Sequence, residues 1–97
     1  MLFTKFLRDG VRSGAIKRTV RVWMGPKVTL GKRYAFEGGE IEIDSIAEIT
    51  FDDITPSLAR ECGFASVDDL LKVAKHGRGE NVYLIDFHYV PRGKEPR

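Results

Sequence analysis

The sequence has little of several residue types that commonly stabilise small folds or bind metals. It contains one cysteine, Cys62, so an internal disulfide and a cysteine-based zinc site are both excluded. Its two histidines, His76 and His88, have no cluster of further ligands beside them, so we expect neither a metal ion nor a cofactor. The apolar runs are a few residues long, far below the roughly 20 needed to cross a membrane. The N-terminal segment also lacks the apolar region and cleavage site of a signal peptide, so we expect a cytoplasmic protein without membrane contact.

The composition is that of one small globular domain. The 97 residues are 42% apolar and 31% charged, which predicts a single domain over 1–97 with a flexible polar tail over 91–97. The net charge of +2 conceals an asymmetry, because residues 1–33 carry nine Lys or Arg against one acid, and residues 34–70 carry ten acids against one Arg. This pattern indicates either an anionic partner for the basic part or pairing of basic strands beside acidic ones.

The alternation of apolar and polar residues that is typical of a strand is clearest in the segment from Gly14 to Trp23. In a strand, residues two apart lie on the same face, so Lys17, Thr19, Arg21 and Trp23 would form one row. A hydroxyl beside an Arg fork is suited to hold a phosphate, a carboxylate or the edge of a base. The alternative is a half-exposed strand whose Lys and Arg are simply solvated.

The remaining patterns predict helices and strands in a mixed order. Apolar spacings of three and four predict a helix over 3–11 that Gly14 ends, and Thr55-Pro56 predicts a second that stops near Gly63. Further predicted elements are strands over 33–36, 40–51 with a bulge midway, and 81–90 ended by Pro91, a tight hairpin at Gly38-Gly39, and a helix from Ser66 to Gly77. This order predicts an α+β fold, a small barrel or strongly curved sheet with flanking helices.

The segment Gly14-x4-Thr19-x-Arg21 resembles the Gly-x-Lys-x-x-Thr-x-Arg signature of ASCH domains, which belong to the PUA-like superfamily of small β-barrels. The similarity extends over about 3–90. It also rests on Ile46-x2-Ile49-x-Phe51-x2-Ile54-Thr55, Ala59-x3-Gly63-Phe64, Ser66-Val67-Asp68-Asp69-Leu70 and Val82-x2-Ile85-x-Phe87. The resemblance implies a PUA-like β-barrel with flanking helices that associates with RNA.

One bacterial branch of that superfamily hydrolyses N4-acetylcytidine with a Lys, a Thr and a Glu. The resemblance places the Thr on Thr19, but the Lys position falls on Ile16 and the Glu position on Cys62. Lys17 and Glu61 each stand one residue away from those positions.

We therefore predict recognition of RNA or a nucleotide-like ligand by Lys17, Thr19 and Arg21, with no catalytic residue assigned. Further candidates for the same site are Glu61, Arg33 and Arg78, provided that the fold brings them together. An amidohydrolase acting on a modified nucleoside is the alternative. A third possibility is a domain that binds another protein and whose basic residues are solvated.

Overall fold

The fold is described from a computed structural model, which covers residues 3–74 and 79–91. The elements are α1 (Lys5–Ser13), β1 (Arg18–Trp23), β2 (Arg33–Phe36), β3 (Gly39–Ile49), a 3-10 turn (Phe51–Asp53), α2 (Pro56–Glu61), α3 (Val67–Ala74) and β4 (Asn81–Pro91). The predicted α+β class is confirmed. The predicted helix end at Gly77 and most of the predicted tail lie outside the described residues. No helix in the described part of the chain is long and apolar enough to cross a membrane.

The four strands form one antiparallel sheet in the order β1-β4-β3-β2. Each neighbouring pair is hydrogen bonded, and β3 pairs with β2 on one side and with β4 on the other. Strands β1 and β2 are the two edges, and no pairing between them closes the sheet within the described residues. The sheet is therefore open as described, and the barrel stays a prediction.

The signals for α2 are confirmed at both ends. The Thr55 hydroxyl accepts a hydrogen bond from an amide of the first turn at 3.1 Å. Gly63 follows the helix with a φ of +93°, and the amides of Gly63 and Phe64 donate back to the carbonyls of Arg60 and Ala59 at 3.0 and 2.9 Å. This pair of bonds is the Schellman motif, which needs a residue that tolerates the left-handed conformation.

The hairpin between β2 and β3 turns one residue earlier than predicted. Its central residues are Glu37 and Gly38, both with positive φ, and Gly39 is already paired with Phe36. Positive φ at both central positions is typical of a type I′ turn. Gly39 belongs to β3, and a glycine is required there for a different reason: an added Cβ would lie 2.5 Å from the Val90 carbonyl oxygen.

Strand β3 has the predicted bulge. Its register against β4 shifts between Ile43 and Ser45, leaving Asp44 as the extra residue. Strand β4 continues through Pro91, which pairs with Gly39, so the prediction that Pro91 ends the strand before it was wrong by one residue. A bulge increases the local twist, which curves the long β3 where it leaves β2.

Strand β1 begins at Arg18, four residues later than predicted, and all five residues of 19–23 are buried. Its register with β4 places Thr19 opposite Ile85 and Arg21 opposite Tyr83. That face of β4 also carries Phe87, whose ring lies 5.3 Å from that of Phe3 just before α1. The face of β1 that carries the polar row is thus buried, and a row of solvated side chains does not describe it.

Candidate functional site

The polar row of β1 lines a cleft of about 500 Å³, which we call the first cleft. Its walls come from the start of α1, from β1 and the loop that follows, and from the C-terminal part of α3. Its polar lining residues are Thr4, Arg8, Thr19, Arg21 and Lys27, and its apolar ones are Phe3, Leu7, Val20, Trp23, Val28, Phe64, Val73 and Ala74. This volume lies within the range of small-molecule sites, about 300–1,000 Å³.

Arg21 is a buried cation in this cleft, with 8% of its surface exposed. Its Nε donates to the Thr19 hydroxyl at 3.2 Å, and its Cζ lies 5.0 Å from the centre of the Phe3 ring. Burial lowers the pKa of Arg21 to about 10, because removing the guanidinium from water disfavours its charged form. The side chain therefore remains positively charged at neutral pH, held between a hydroxyl and an aromatic face.

The charged residues that line the first cleft are all basic in the described part of the chain. They are Arg8, Arg21 and Lys27. The Lys27 ammonium lies 6.0 Å from the centre of the Trp23 ring, so a second cation lies beside an aromatic wall. A cleft with aromatic walls and cationic groups suits a ligand that is both planar and anionic.

A second cleft, of about 520 Å³, lies near the start of β1 and has a different character. Its lining residues are Ala15, Lys17, Arg18, Asp44, Glu61, Asp86, Phe87 and His88. Charges of both signs occur there, and most of them are paired with one another. The second cleft therefore combines charges of both signs, whereas the described charged residues that line the first cleft are all basic.

Arg18 is the centre of that pairing. Its Nε and Nη2 donate to the two carboxylate oxygens of Asp86 at 2.8 and 3.2 Å, and its Nη1 donates to Glu61 at 3.1 Å. The hydrogen bonds from Arg18 lower the pKa of Asp86 against the opposing effect of burial, and Ser45 adds a further hydrogen bond at 3.0 Å. The one polar residue among the aliphatic positions of β1 is thus satisfied by structural partners.

The predicted site residues fall into separate places. Thr19 and Arg21 lie together in the first cleft, whereas Lys17 and Glu61 line the second. Lys17 precedes the first residue of β1, so the alternation that orders the row does not extend to it. The prediction that Lys17 belongs to the row was therefore wrong, and the row that the structure shows consists of Thr19, Arg21 and Trp23.

The other two candidates do not join the row in the described structure. Arg33 lies on β2, the edge strand opposite β1, where its Nε donates to Glu42 at 2.9 Å. It lines neither cleft. Arg78 lies outside the described residues. Arg33 therefore does not form the single basic patch with Thr19 and Arg21 that the sequence had suggested.

The two positions that align with the Lys and Glu of the amidohydrolase branch, Ile16 and Cys62, lie in apolar surroundings. Ile16 is half-buried and lies close to Gly10 and Gly63. Cys62 is buried, and burial raises the pKa of its thiol to about 12. A thiol with that pKa is protonated at neutral pH, so Cys62 behaves as a small apolar residue rather than a nucleophile.

Sequence reasoning missed Arg8 and Lys27. Arg8 shares the helical stripe of Thr4, Leu7 and Val11, with spacings of three, four and seven, where an apolar residue is expected. A cation in an apolar stripe is a signal that could have identified it. Lys27 follows the Gly25-Pro26 turn, and nothing in the local sequence indicates that this loop returns over Trp23.

One group of side chains has the composition of a cation site. The ligand atoms of Glu42, Asp44 and His88 lie within 4.8 Å of one another, and His88 Nδ1 lies 2.9 Å from both carboxylate oxygens of Asp44. Asp44 and His88 are about half exposed, and Glu42 accepts a hydrogen bond from Arg33. The hydrogen bond between His88 and Asp44 and the ion pair between Arg33 and Glu42 account for these contacts.

Comparison of the chain with protein-family models, with curated proteins and with solved structures gives no match. The functional assignment therefore depends on the geometry of the two clefts and on the sequence motifs.

Proposed function

We propose that this chain is an ASCH-type, PUA-like domain that binds RNA or a nucleotide-like ligand in the first cleft. The observation that carries the proposal is the placement of Arg21 and Thr19 side by side in a cleft with aromatic walls and basic groups. A guanidinium offers fixed donors to a phosphate or to the acceptor edge of a base, and a hydroxyl can both donate and accept.

The walls of the cleft support a ligand that contains a base. Aromatic side chains bind bases by stacking, and this cleft has the rings of Phe3, Trp23 and Phe64. Its volume suits one nucleotide, so the ligand would be a free nucleotide or one unstacked residue of an RNA strand.

The barrel belongs to the same proposal. The 11-residue β3 pairs with two strands and bulges at Asp44, which supports a strongly curved sheet of the PUA-like kind. The cytoplasm is the compartment that we propose, since the single cysteine is a buried free thiol.

The separation of the candidate catalytic residues favours binding over hydrolysis. General acid–base catalysis needs the titratable group within hydrogen-bond reach of the reacting atoms. Thr19 lines the first cleft, whereas Lys17 and Glu61 line the second, and Glu61 is paired with Arg18. A substrate bound at Thr19 would meet Lys27 but no carboxylate among the described residues that line the first cleft.

Amide NMR titrations at fixed ionic strength test the proposed function. Short single-stranded RNA and N4-acetylcytidine are titrated in parallel, and fluorescence of Trp23, the one tryptophan, reports on the cleft independently. We expect saturable shifts at Thr19, Arg21 and the Trp23 indole. Absence of saturation, or shifts confined to Lys17 and His88 of the second cleft, would contradict the assignment.

A further inference from the structure

We propose that the part of the first cleft formed by the start of α1 binds a phosphate group. This inference rests on the proposed function and adds a ligand class to it, because a nucleotide would then be preferred over its nucleoside. The phosphate could belong to a free mononucleotide or to the backbone of an RNA strand, which present the same acceptor oxygens.

The first supporting observation is the Thr4 hydroxyl, which has no hydrogen-bond partner among the described residues. Thr4 is the N-cap residue of α1, yet its side chain caps no amide, and its Oγ1 is buried without a hydrogen-bond partner among the described residues. A buried hydroxyl usually has a partner, since leaving it without one costs free energy. Thr4 lines the first cleft, so turning its side chain to bring the hydroxyl to a ligand there would break no hydrogen bond that it makes among the described residues.

The second observation is the charge of the surrounding wall. Arg8 lies one helical turn after Thr4, lines the same cleft, and is held by a hydrogen bond from its Nε to the Phe3 carbonyl at 3.2 Å. Its Nη1 lies 3.6 Å from a Glu37 oxygen, a long and exposed ion pair that a phosphate can replace. Arg21 adds the buried charge on the facing strand.

The helix itself adds to this electrostatic environment. The first turn of α1 contains no acidic residue. The Leu7 amide donates to the Thr4 carbonyl at 3.0 Å, but the amides at the very start of a helix have no intrahelical partners. These amides and the helix dipole favour an anion at this end. A hydroxyl without a partner, two guanidinium groups and an uncompensated helix start thus border one cleft, which is the donor set that a phosphate requires.

The position of the base follows from the same arrangement. Trp23 and Lys27 belong to the end of β1 and the next loop, whereas Thr4 and Arg8 belong to the start of α1. With the phosphate at Thr4 and Arg8, the base would stack against the aromatic wall that includes Trp23. Lys27 would then contribute little to the preference for a phosphorylated ligand.

The test compares uridine, uridine 5′-monophosphate, uridine 3′-monophosphate and the dinucleotide UpU by calorimetry at fixed ionic strength and pH 7. Variants are Thr4→Val, which removes the hydroxyl but keeps the shape, and Arg8→Gln. Arg12→Gln is the matched control, because Arg12 lies on the same helix and also pairs with Glu37, but it does not line the cleft. Lys27→Gln tests the assigned position of the base.

We expect at least one phosphorylated ligand to bind about tenfold or more tightly than uridine. Arg8→Gln and Thr4→Val should remove most of that preference, whereas Arg12→Gln and Lys27→Gln should preserve it. Preference for a mononucleotide indicates a terminal phosphate, and preference for UpU indicates the RNA backbone. Should Thr4→Val fail to fold, the comparison of Arg8→Gln with Arg12→Gln decides the question.

Equal affinities for uridine and all three phosphorylated ligands would overturn the phosphate subsite while leaving the proposed function intact. Equal losses in Arg8→Gln and Arg12→Gln, or loss of the preference in Lys27→Gln alone, would also overturn it. If neither uridine, nor the nucleotides, nor RNA binds, the proposed function itself fails.

Discussion

The guanidinium carbon of Arg21 lies 5.0 Å from the centre of the Phe3 ring. The same ring contacts Phe36 and Phe87, with centroid distances of 5.5 and 5.3 Å. One aromatic side chain therefore belongs both to the core and to the wall of the first cleft. Because of this shared residue, changes at Arg21 should affect both ligand affinity and the free energy of unfolding.

Arg21→Lys should lower the affinity for RNA or a uridine nucleotide about tenfold, roughly 1.4 kcal/mol. Lysine keeps the charge, but it lacks the fixed fork of donors and loses the Nε hydrogen bond to Thr19. Calorimetric titration measures the affinity, and urea unfolding checks that the variant is folded. The control is Arg33→Lys on the opposite edge strand, for which we expect a change below about threefold. Equal losses in both variants would indicate a diffuse basic surface rather than a cleft.

Gly63→Ala should destabilise the fold more than Gly14→Ala does. Both glycines have a φ near +90°, so each substitution costs about 1–2 kcal/mol from backbone strain. At Gly14 an added Cβ meets no atom within 4 Å, whereas at Gly63 it would lie 2.6 Å from Leu7 Cδ2 and 2.7 Å from Ile16 Cδ1. Because those side chains must shift, we expect about 1 kcal/mol more at Gly63. Urea unfolding of the two variants measures the difference, and equal losses would refute the close packing at Gly63.

Asp86→Asn should reduce stability at pH 7 by less than about 1 kcal/mol, because its ion pair with Arg18 is partly exposed. The folded pKa of Asp86 is lowered by hydrogen bonds from Arg18, so its stabilisation is present above the unfolded value, about 3.9. That contribution disappears as the pH falls through the lower folded pKa. Urea unfolding between pH 3 and pH 7 should show the variant and the parent converging at the acid end. A constant difference in the free energy of unfolding across this pH range would mean that loss of the ion pair does not cause the destabilisation.

N4-acetylcytidine should be hydrolysed at no more than the background rate. The first cleft contains Thr19 but neither Lys17 nor Glu61, and Cys62 is a buried, protonated thiol. Release of cytidine, followed by chromatography, measures the activity. Release well above background that Lys17→Ala abolishes would contradict the separation of the two clefts.

The sequence by itself determined most of the local structure. Thr55-Pro56 and Gly63 define the ends of α2 because capping and left-handed backbone conformations depend on a few adjacent residues. The alternation along β1 likewise placed Thr19 and Arg21 on one face, since side chains alternate in any strand. The bulge in β3 followed from the break in its alternation near Ser45.

Only the tertiary structure decided how those faces are used. Nothing within 14–23 indicates that Arg21 is buried under Phe3, that Lys17 lines another cleft, or that Arg33 lies on the far edge of the sheet. Burial depends on which distant segment packs over a face, and strand order depends on pairings between residues far apart in sequence. The periodicity of a strand says which side chains are neighbours, but long-range packing sets which face becomes a cleft.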